Sequence, residues 1–488
     1  MLHVANQLGR FAALGGSAHP YGPPGAAFSV VAYGADATGT SDCRTAFGSA
    51  AAAANAAGGH VYFPAGTYKI SGTWTSVAGT YYYAPTGVTI ACSGGVYVLS
   101  NTTFDGFTFR CDLLSTASGV CLVAGTTGGT TVISKATIKK CTFIGADSTH
   151  EFKWSRILLR RAHDFVISNN TFTGTLGSGG NIQVVGGKRN RIIGNTISGG
   201  TTGILHMYET AASGGGFDSV IEHEVVTGNT IGNVSEENIS FDVMANSATE
   251  AGVFEYDTIA AVSGQDITLS TLTWPSYVGY DIIFYDGDLR GKTRTISGQS
   301  GTGNKVFTVT GDIADAAAGD KVVIGAPMKH NYIANNTVTC YDYISTLGDT
   351  YPAVLLYGLC FGNVIEKNTV PLGKIDVRSV DGVTKHTGQV TDTYGRATCG
   401  YNTIRENTIL DGGSNEGINL FRFAYTADGT TGYSVSTGEY KGSNVTDNAT
   451  ARVLAAYQEA YFSGNSGTES FTSTTEADSE FTYDDGGV

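Results

Sequence analysis

The chain has 488 residues, a formal net charge of −14 and only 15% charged residues. This acidic balance argues against non-specific nucleic-acid binding and against docking on anionic membranes, because both surfaces attract basic proteins. Its 67 glycines favour strands joined by tight turns over a helical bundle. The 8 cysteines include no C-x-x-C pair and no metal-like spacing with histidine, so we expect buried thiols, with disulfides as the minor alternative, and no metal site. We also expect no cofactor.

The first residues, 1–27, predict an irregular arm, since "AHPYGPPGAA" holds three Pro and two Gly in ten residues. The start lacks the charged and apolar pattern of a signal peptide, and no apolar run approaches membrane-spanning length. We therefore expect a protein made in a cytoplasm without a signal peptide and with no membrane insertion. The acidic charge predicts no nucleic-acid partner.

One helix is predicted near the N-terminus, after a strand over "FSVVAYG" at 28–34. Ser41 or Asp42 is the expected N-cap, and Gly58-Gly59 the expected stop, because glycine tolerates the left-handed backbone there. Two short strands over "HVYFPAGTYKIS" come next. The apolar positions with helical spacing are Ala46, Phe47, Ala50 and Ala54.

A short phrase, apolar–x–x–Asn–Thr–apolar, then recurs along the chain, as in "VISNNTF" and "TIRENTI". Its spacing is that of a solenoid, apart from one long gap of 107 residues between Asn229 and Asn336. We predict a parallel β-helix in which asparagine stands at each turn, accepts the left-handed backbone and bonds to the next coil. The phrase asparagines are Asn170, Asn195, Asn229, Asn336, Asn368 and Asn407.

The long gap predicts an insertion, because alternating strand patterns broken by Gly turns fill residues 253–325. We predict a small β-barrel or sandwich between two coils. The predicted units are an N-terminal arm (1–27), a first β-helix part with its cap (28–246), the inserted β-domain (247–328), a second β-helix part (329–430) and an acidic C-terminal segment (431–488).

The stretch from Phe28 to Ser71 resembles the N-terminal signature of pectate-lyase-like β-helix proteins, a family that includes phage tailspikes and polysaccharide-degrading enzymes. The matching sequences are "VVAYGA", "TAF" on the predicted helix and "GGHVYFPAGTY". The loop "ADATGTSD" departs from the Gly-Asp-Gly that the family usually has there. The resemblance implies an all-β right-handed parallel β-helix, often a homotrimer, that binds or degrades polysaccharide. The N-T-D, G-H-G and R-I-K motifs of polygalacturonases with this fold are absent from the coils, which argues against a pectin hydrolase.

One strand of each coil is expected to place its second and fourth residues on the outer surface. That face is unusually apolar, and such a row favours a homotrimer in which β-helices pack together; cover by the protein's own loops is the alternative. The outward residues are Leu158, Arg160, Gln183, Val185, Leu205, Met207, Ser240, Asp242, Leu355, Tyr357, Asp376, Arg378, Asn419 and Phe421.

Acidic residues gather near the middle of this face, and two carboxylates can cleave a glycosidic bond as acid and as base or nucleophile. The candidate catalytic residues are Asp242, Asp376, Glu237 and Glu209, with Glu236 beside them. An arginine can hold a sugar carboxylate and an aromatic ring can stack on a sugar. The candidate substrate-binding residues are Arg378, Trp154, Arg160, Tyr357 and Asn419. An ordinary Asp376–Arg378 ion pair among solvated acids is the competing interpretation.

Two further clusters have weaker interpretations. The segment His150–Asp164 combines His, Glu, Trp and Arg residues and fits either sugar binding or a basic loop that balances the acids. The segment "IEHE" (Ile221–Glu224) has residue types that bind metals but lacks a third ligand, so a metal site is a minor alternative.

These features lead to three functional hypotheses. The first is a phage tailspike-like virion protein that binds a bacterial surface polysaccharide, with or without degrading it, and attaches to other virion proteins through its N-terminal arm. The second is a structural or adhesive spike without catalysis. The third is an extracellular bacterial polysaccharide lyase or epimerase. The glycan, the choice between hydrolysis and β-elimination, and a bound cation are left open.

Overall fold

The computed structural model shows a right-handed parallel β-helix with one capping α-helix and one inserted β-barrel, as predicted. The residues that it describes are 25–110, 120–126, 131–145, 155–174, 180–207, 220–242, 253–270, 277–284, 287–289, 292–340, 351–383, 395–397, 402–409, 417–425, 433–434, 460–463 and 482–484. Each coil passes in turn through three parallel sheets, here called sheets 1, 2 and 3. No helix in these ranges is long and apolar enough to cross a membrane.

Sheet 1 carries the longest strands of the coils. Its main path contains Trp74–Thr75, Val96–Tyr97, Leu122–Ala124, Ile157–His163, Ile182–Lys188, Ile204–Met207, Ile239–Asp242, Val354–Tyr357, Lys374–Val383, Gly417–Tyr425 and Tyr433–Ser434. Strands off this path are Ile133–Ser134, Ile221–Glu222, Met328–Lys329, Cys360–Phe361 and Gly395–Ala397.

Sheets 2 and 3 are built from shorter strands. Sheet 2 contains Ala27–Ser29, His60–Tyr62, Tyr81–Tyr83, Thr103–Asp105, Thr137–Lys139, Val166–Ser168, Arg191–Ile193, Val225–Thr227, Tyr332–Ala334, Val364–Glu366, Asn402–Arg405, Ala460–Ser463 and Thr482–Asp484. Sheet 3 contains Thr38–Asp42, Gly66–Ile70, Val88–Cys92, Thr108–Arg110, Thr142–Ile144, Thr171–Thr173, Thr196–Ser198, Thr230–Gly232, Thr337–Thr339, Thr369–Leu372 and Thr408–Ile409.

The core lies inside the coils and is made of stacked identical or similar side chains. In sheet 3 the rings of Phe109, Phe143 and Phe172 stack with centroids 5.2 and 4.8 Å apart. These spacings equal the separation of neighbouring strands, because in-register parallel strands place equivalent side chains directly above one another. All three rings are fully buried, so the stack removes a large apolar area from water.

The phrase asparagines form a continuous hydrogen-bonded ladder at the turn between sheets 2 and 3, which confirms the prediction. Each side-chain amide donates to the Oδ1 of the next, as from Asn195 to Asn229 at 2.9 Å and from Asn229 to Asn336 at 3.0 Å. The same oxygens also accept the backbone N–H of the preceding asparagine. These buried groups have partners only because the coils stack, so the ladder couples the turns to the fold.

The backbone reason that we expected for these asparagines is wrong. The left-handed residue of each turn is the one before the ladder position, with φ of 54° at Asn169, 55° at Asn335 and 53° at Glu406. The ladder asparagines have no positive φ. Their side chain, with one acceptor and one donor group, is therefore what the turn requires.

A second ladder, which we did not foresee, runs along the turn between sheets 1 and 2. Its members stand five residues before those of the first ladder and are Asn190, Glu224, Asn331, Asn363 and Asn402. Glu224 replaces an amide there, and its Oε1 accepts the Asn190 side chain at 2.9 Å. Its Oε2 lies 3.7 Å from Nε2 of the core residue His206, and both side chains are fully buried.

The helix Arg44–Ala57 covers the open N-terminal end of the coils. Its predicted buried face is confirmed, and Phe47 packs 4.9 Å from both Phe63 and Trp74. Gly58 ends the helix with a φ of 63°, as expected. The N-cap is Cys43 and not Ser41 or Asp42, which lie in the strand Thr38–Asp42. The strand expected over 28–34 is only Ala27–Ser29, followed by the short 3-10 helix Val30–Tyr33.

The insertion is a closed six-stranded antiparallel barrel. Its strands are Val253–Ser263, Asp266–Leu269, Asp281–Phe284, Thr293–Ser300, Val306–Val309 and Lys321–Gly325, with a short 3-10 helix at Thr302–Asn304. The barrel leaves the β-helix after Ile239–Asp242, and the coil resumes at Met328–Lys329. Lys329 anchors the barrel because its Nζ contacts the buried Asp281 of the barrel and lies 3.8 Å from Glu222 of the preceding coil.

The ladder analysis predicts that Asn336→Ala lowers the free energy of unfolding by about 2–4 kcal/mol, because it leaves buried donors and acceptors without partners. Asn336 donates to Val226 O and Asn368, and accepts from Asn229. Thermal unfolding at a fixed scan rate measures the loss. The control is Asn335→Gly, since Asn335 is exposed and left-handed and glycine accepts that backbone. Equal losses in both variants would refute the role of the ladder side chain.

Candidate functional site

The outer face of sheet 1 has the register that we predicted from the sequence. The strands from Ile157–His163 to Gly417–Tyr425 align so that their second residues form one row and their fourth residues another. The first row is Leu158, Gln183, Leu205, Ser240, Leu355, Asp376 and Asn419. The second row is Arg160, Val185, Met207, Asp242, Tyr357, Arg378 and Phe421.

The N-terminal half of this face is apolar and already buried. A hydrophobic cluster separate from the main core contains Val120, Leu158, Val185 and Met207, with Val123 and Leu205 packed against it. Leu158 and Met207 are only 6% and 4% exposed within one copy of the chain. This apolar half of the face therefore offers little exposed area for contact with another subunit. Its burial favours the alternative that the protein's own loops cover it, and not that it forms a trimer contact.

The C-terminal half of the face carries most of the polar side chains, together with the buried Leu355. Ser240 and Asp242 lie on one strand, Tyr357 is aligned with Asp242 on the next coil, and Asp376 lies one coil further. Asp242 is half-buried, whereas Ser240 is fully buried and its hydroxyl has no partner among the described residues. Asp242 and Tyr357 are thus a neighbouring acid and phenol at about 4.8 Å backbone spacing.

The two carboxylates that we considered for catalysis are not neighbours. Asp376 is two coils and two residues away from Asp242, which places their Cα atoms about 12 Å apart from strand geometry. Asp376 is also fully buried, and its Oδ2 lies 3.9 Å from Nζ of the buried Lys374. An ion pair of this kind is a structural arrangement. The side chain of Arg378, which we had considered as the cation, lies outside the described side chains.

A second pair of carboxylates lies at the start of the strand Ile239–Asp242. The backbone of Glu236 donates to Thr201 O at 2.8 Å, and the carbonyl of Glu237 accepts from Gly203 N at 3.1 Å, so the preceding coil holds both residues. Burial and, secondly, the charge of Glu237 raise the pKa of the Glu236 carboxyl. A carboxyl with a raised pKa is suited to donate a proton.

The structure does not bring all predicted residues together. Arg160 is half-buried at the apolar end of the second row, three coils before Asp242. Arg378 and Asn419 are placed by their backbones only, in register with Tyr357 and Asp376 respectively. Trp154 and Glu209 lie outside the described residues.

The segment Ile221–Glu224 has structural roles in place of the metal site considered above. Glu224 belongs to the second ladder, and Glu222 lies 3.3 Å from His223 and 3.8 Å from Lys329. Within the described ranges no group of three His, Cys, Asp or Glu side chains is arranged to hold a metal ion. The five-residue offset between the two ladders was the sequence signal that would have identified Glu224.

Residues 27–84 match the family described as rhamnogalacturonase A/epimerase, pectate lyase-like. This segment is similar to that family. It includes the capping helix and the first strands of all three sheets, so the predicted resemblance of Phe28–Ser71 is confirmed. A comparison of the sequence with curated proteins found no match.

Several solved structures are similar to the chain. The A-module of the mannuronan C-5 epimerase AlgE4 from Azotobacter vinelandii has 14% identity and a TM-score of 0.38, covering 81% of this chain and 95% of its own. The tailspike of E. coli bacteriophage HK620, solved as a mutant with a pentasaccharide, has 10% identity and a TM-score of 0.42, covering 81% and 65%. The Streptococcus pneumoniae adhesin PfbA has 14% identity and a TM-score of 0.36, covering 82% and 90%. All three TM-scores are below 0.5, and the fold assignment comes from the sheets and ladders described above.

The first prediction from this face concerns the buried ion pair. Replacing Lys374 with Met is expected to lower the free energy of unfolding by about 3–5 kcal/mol, because Asp376 loses its cation partner in a buried place. The double variant Lys374→Met, Asp376→Leu should recover most of that loss. Thermal unfolding of the four proteins in this double-mutant cycle measures the coupling. Additive losses would mean that the pair does not act as a unit.

The second prediction concerns pH. A carboxyl whose pKa is raised by folding holds its proton more tightly in the folded chain, so stability falls as pH rises from about 4.3 through the raised pKa. Glu236→Gln removes this pH-dependent contribution to the free energy of unfolding. The variant should therefore unfold at a higher temperature than the wild type at neutral pH and at the same temperature below about pH 4. A thermal midpoint series from pH 3.5 to about 8 tests this, and a pH-independent difference would contradict it.

Proposed function

We propose that this chain is a tailspike-like virion protein that binds a bacterial cell-surface polysaccharide along the polar half of the sheet 1 outer face. The observation that supports binding is the placement of Asp242 and Tyr357 at equivalent positions of successive coils, with Ser240 two residues before Asp242 on the same strand. Carboxylates accept hydrogen bonds from sugar hydroxyls, and a tyrosine ring offers an apolar face with a polar end. A solenoid repeats such positions along its axis, which suits a polymer of repeating sugars.

The geometry supports binding more strongly than hydrolysis by the carboxylates first considered. Asp376 is fully buried and lies 3.9 Å from Nζ of Lys374, which does not favour a role as one of the two carboxyls, roughly 5–9.5 Å apart, of a glycosidase. A non-catalytic adhesive spike therefore fits the described residues. Such a spike would hold its glycan by many weak polar contacts without cleaving it.

Depolymerisation is a second candidate because of the Glu236–Glu237 pair. Burial keeps the Glu236 proton at higher pH than usual, as a general acid requires, while the neighbouring Glu237 carries a carboxylate. In this version Glu236 protonates the leaving glycosidic oxygen, and Glu237 activates water or attacks the sugar. An extracellular lyase or epimerase would use other residues of the same face.

The virion location, the homotrimer and attachment through residues 1–27 are proposals that derive from the tailspike resemblance of Phe28–Ser71. Burial of the apolar half of the sheet 1 face gives the trimer no added support. Light scattering of the purified full chain tests the oligomeric state directly.

The binding proposal predicts that Asp242→Asn and Tyr357→Phe each weaken retention of a polysaccharide by about three- to thirtyfold, as expected for one lost polar contact. A panel of bacterial capsule and O-antigen polysaccharides is immobilised, and retention is measured by surface plasmon resonance. Glu406→Gln is the matched control, since it exchanges an exposed acid for an amide at the turn between sheets 2 and 3.

Each outcome of this panel separates the hypotheses. Retention without shortening of the polymer supports the adhesive spike. Shortening without ultraviolet absorbance indicates hydrolysis, and Glu236→Gln should then abolish it; shortening with absorbance indicates β-elimination. If no polysaccharide is retained, or if Glu406→Gln weakens binding as much as Asp242→Asn, the proposed binding face is wrong.

A further inference from the structure

Arg161 occupies an irregular position in sheet 1. It lies within the strand Ile157–His163 with a φ of +48°, between the register pairs Arg160–Val185 and Ala162–Gly187. The residue at the aligned position in the next coil is Gly186, which also has a positive φ, of 64°. The sheet therefore bends here, and Gly186 contributes neither a side-chain acceptor nor bulk beside Arg161.

The guanidinium group of Arg161 is buried without a partner. The residue is 2% exposed, and none of Nε, Nη1 and Nη2 has a hydrogen-bond partner in the described part of the chain. Arginine stays protonated in proteins, so burial cannot be relieved by loss of the proton. A buried charge with five unused donors is strongly unfavourable unless an anion meets it.

Two of the acids at this end of sheet 1 are already engaged with other cations. Asp164 accepts two hydrogen bonds from Arg189, at 2.7 and 3.0 Å. Glu222 is close to His223 and Lys329. Although burial opposes it, the His223 hydrogen bond and the charges of Lys329, His223 and Lys188 lower the pKa of Glu222 to about 2.

We propose that Arg161 is the centre of an anion site that takes a planar or tetrahedral oxyanion from outside the chain. The guanidinium fork matches two oxygens of a carboxylate, sulfate or phosphate group. This inference deepens the proposed function and rests on it for the source of the anion: the acidic group of a charged sugar in a stretch of the polysaccharide that extends beyond the polar half of the face to the coil of Arg161, three coils before Asp242. A free inorganic anion is the other source of the same chemistry.

The test compares the full-length wild type with Arg161→Met and with Lys135→Gln. Lys135 is an exposed cation on the adjacent coil, next to the residue paired with His163, so its variant removes one charge from the same edge. Thermal midpoints are measured against sodium sulfate at constant ionic strength set with chloride. General stabilisation by excluded sulfate is not saturable and is the same in all three proteins.

The proposal predicts that the difference in thermal stability between the wild type and Arg161→Met changes when sulfate is added. Without sulfate, Arg161→Met should unfold at a higher temperature than the wild type, because it removes an uncompensated buried charge. With millimolar sulfate, the wild type and Lys135→Gln should gain a saturable rise of a few degrees that Arg161→Met lacks. If Arg161→Met is destabilised equally with and without sulfate, Arg161 has a partner within the chain and the proposal is wrong.

The source of the anion is resolved by two further probes. If the site accepts the carboxylate of an acidic sugar, glucuronate should compete with sulfate for binding, whereas glucose should not. A saturable response to sulfate but none to glucuronate assigns the site to inorganic anions and overturns the sugar assignment. Polysaccharide retention by Arg161→Met separates this inference from the proposed function. If the variant loses binding of acidic polymers and keeps binding of neutral ones, both are supported. If the wild type retains no polysaccharide at all, only the proposed binding function is refuted.

Discussion

Hydrogen bonding between stacked turns is the constraint on which the rest of this structure depends. A coil that closes after three short strands buries the backbone of its turns, and buried N–H and C=O groups need partners. The asparagine ladders supply those partners from the coil above and below, as between Asn363 and Asn402 at 2.9 Å. Because each rung requires its neighbours in register, the ladders also hold the strands in register.

The register in turn determines what the outer face can do. Parallel strands in register place Leu158 and Ser240 in one row and Met207 and Tyr357 in another, so one continuous surface changes from apolar to polar along the axis. The apolar half is covered within the chain and adds to stability. The polar half holds the half-buried Asp242 beside the buried Tyr357, and the proposed polysaccharide binding is assigned to this half.

Buried charges mark the places where the β-helix departs from a simple solenoid. Lys329 and Asp281 join the barrel to the coil, and Lys374 and Asp376 pair beneath the outer face. Pairs of this kind contribute less to net stability than to a unique arrangement, since removing one partner is costly while apolar replacement of both is tolerated. Arg161 differs from them because it has no such partner among the described residues, which is why an external anion is inferred there.

The sequence by itself determined the fold class, the capping helix, the inserted β-domain and the six rungs of the first ladder, because these depend on local periodicity and on a residue type that recurs at one place in each turn. It also determined the outward rows, since alternation along a strand is a local property. The tertiary structure alone decided that Asp376 is buried beside Lys374, that Glu224 serves as a ladder rung, and that Asp242 and Asp376 lie on coils that are not adjacent. Those outcomes depend on which coil lies next to which and on what is buried, and distances of that kind between coils are not encoded in any one short segment of sequence.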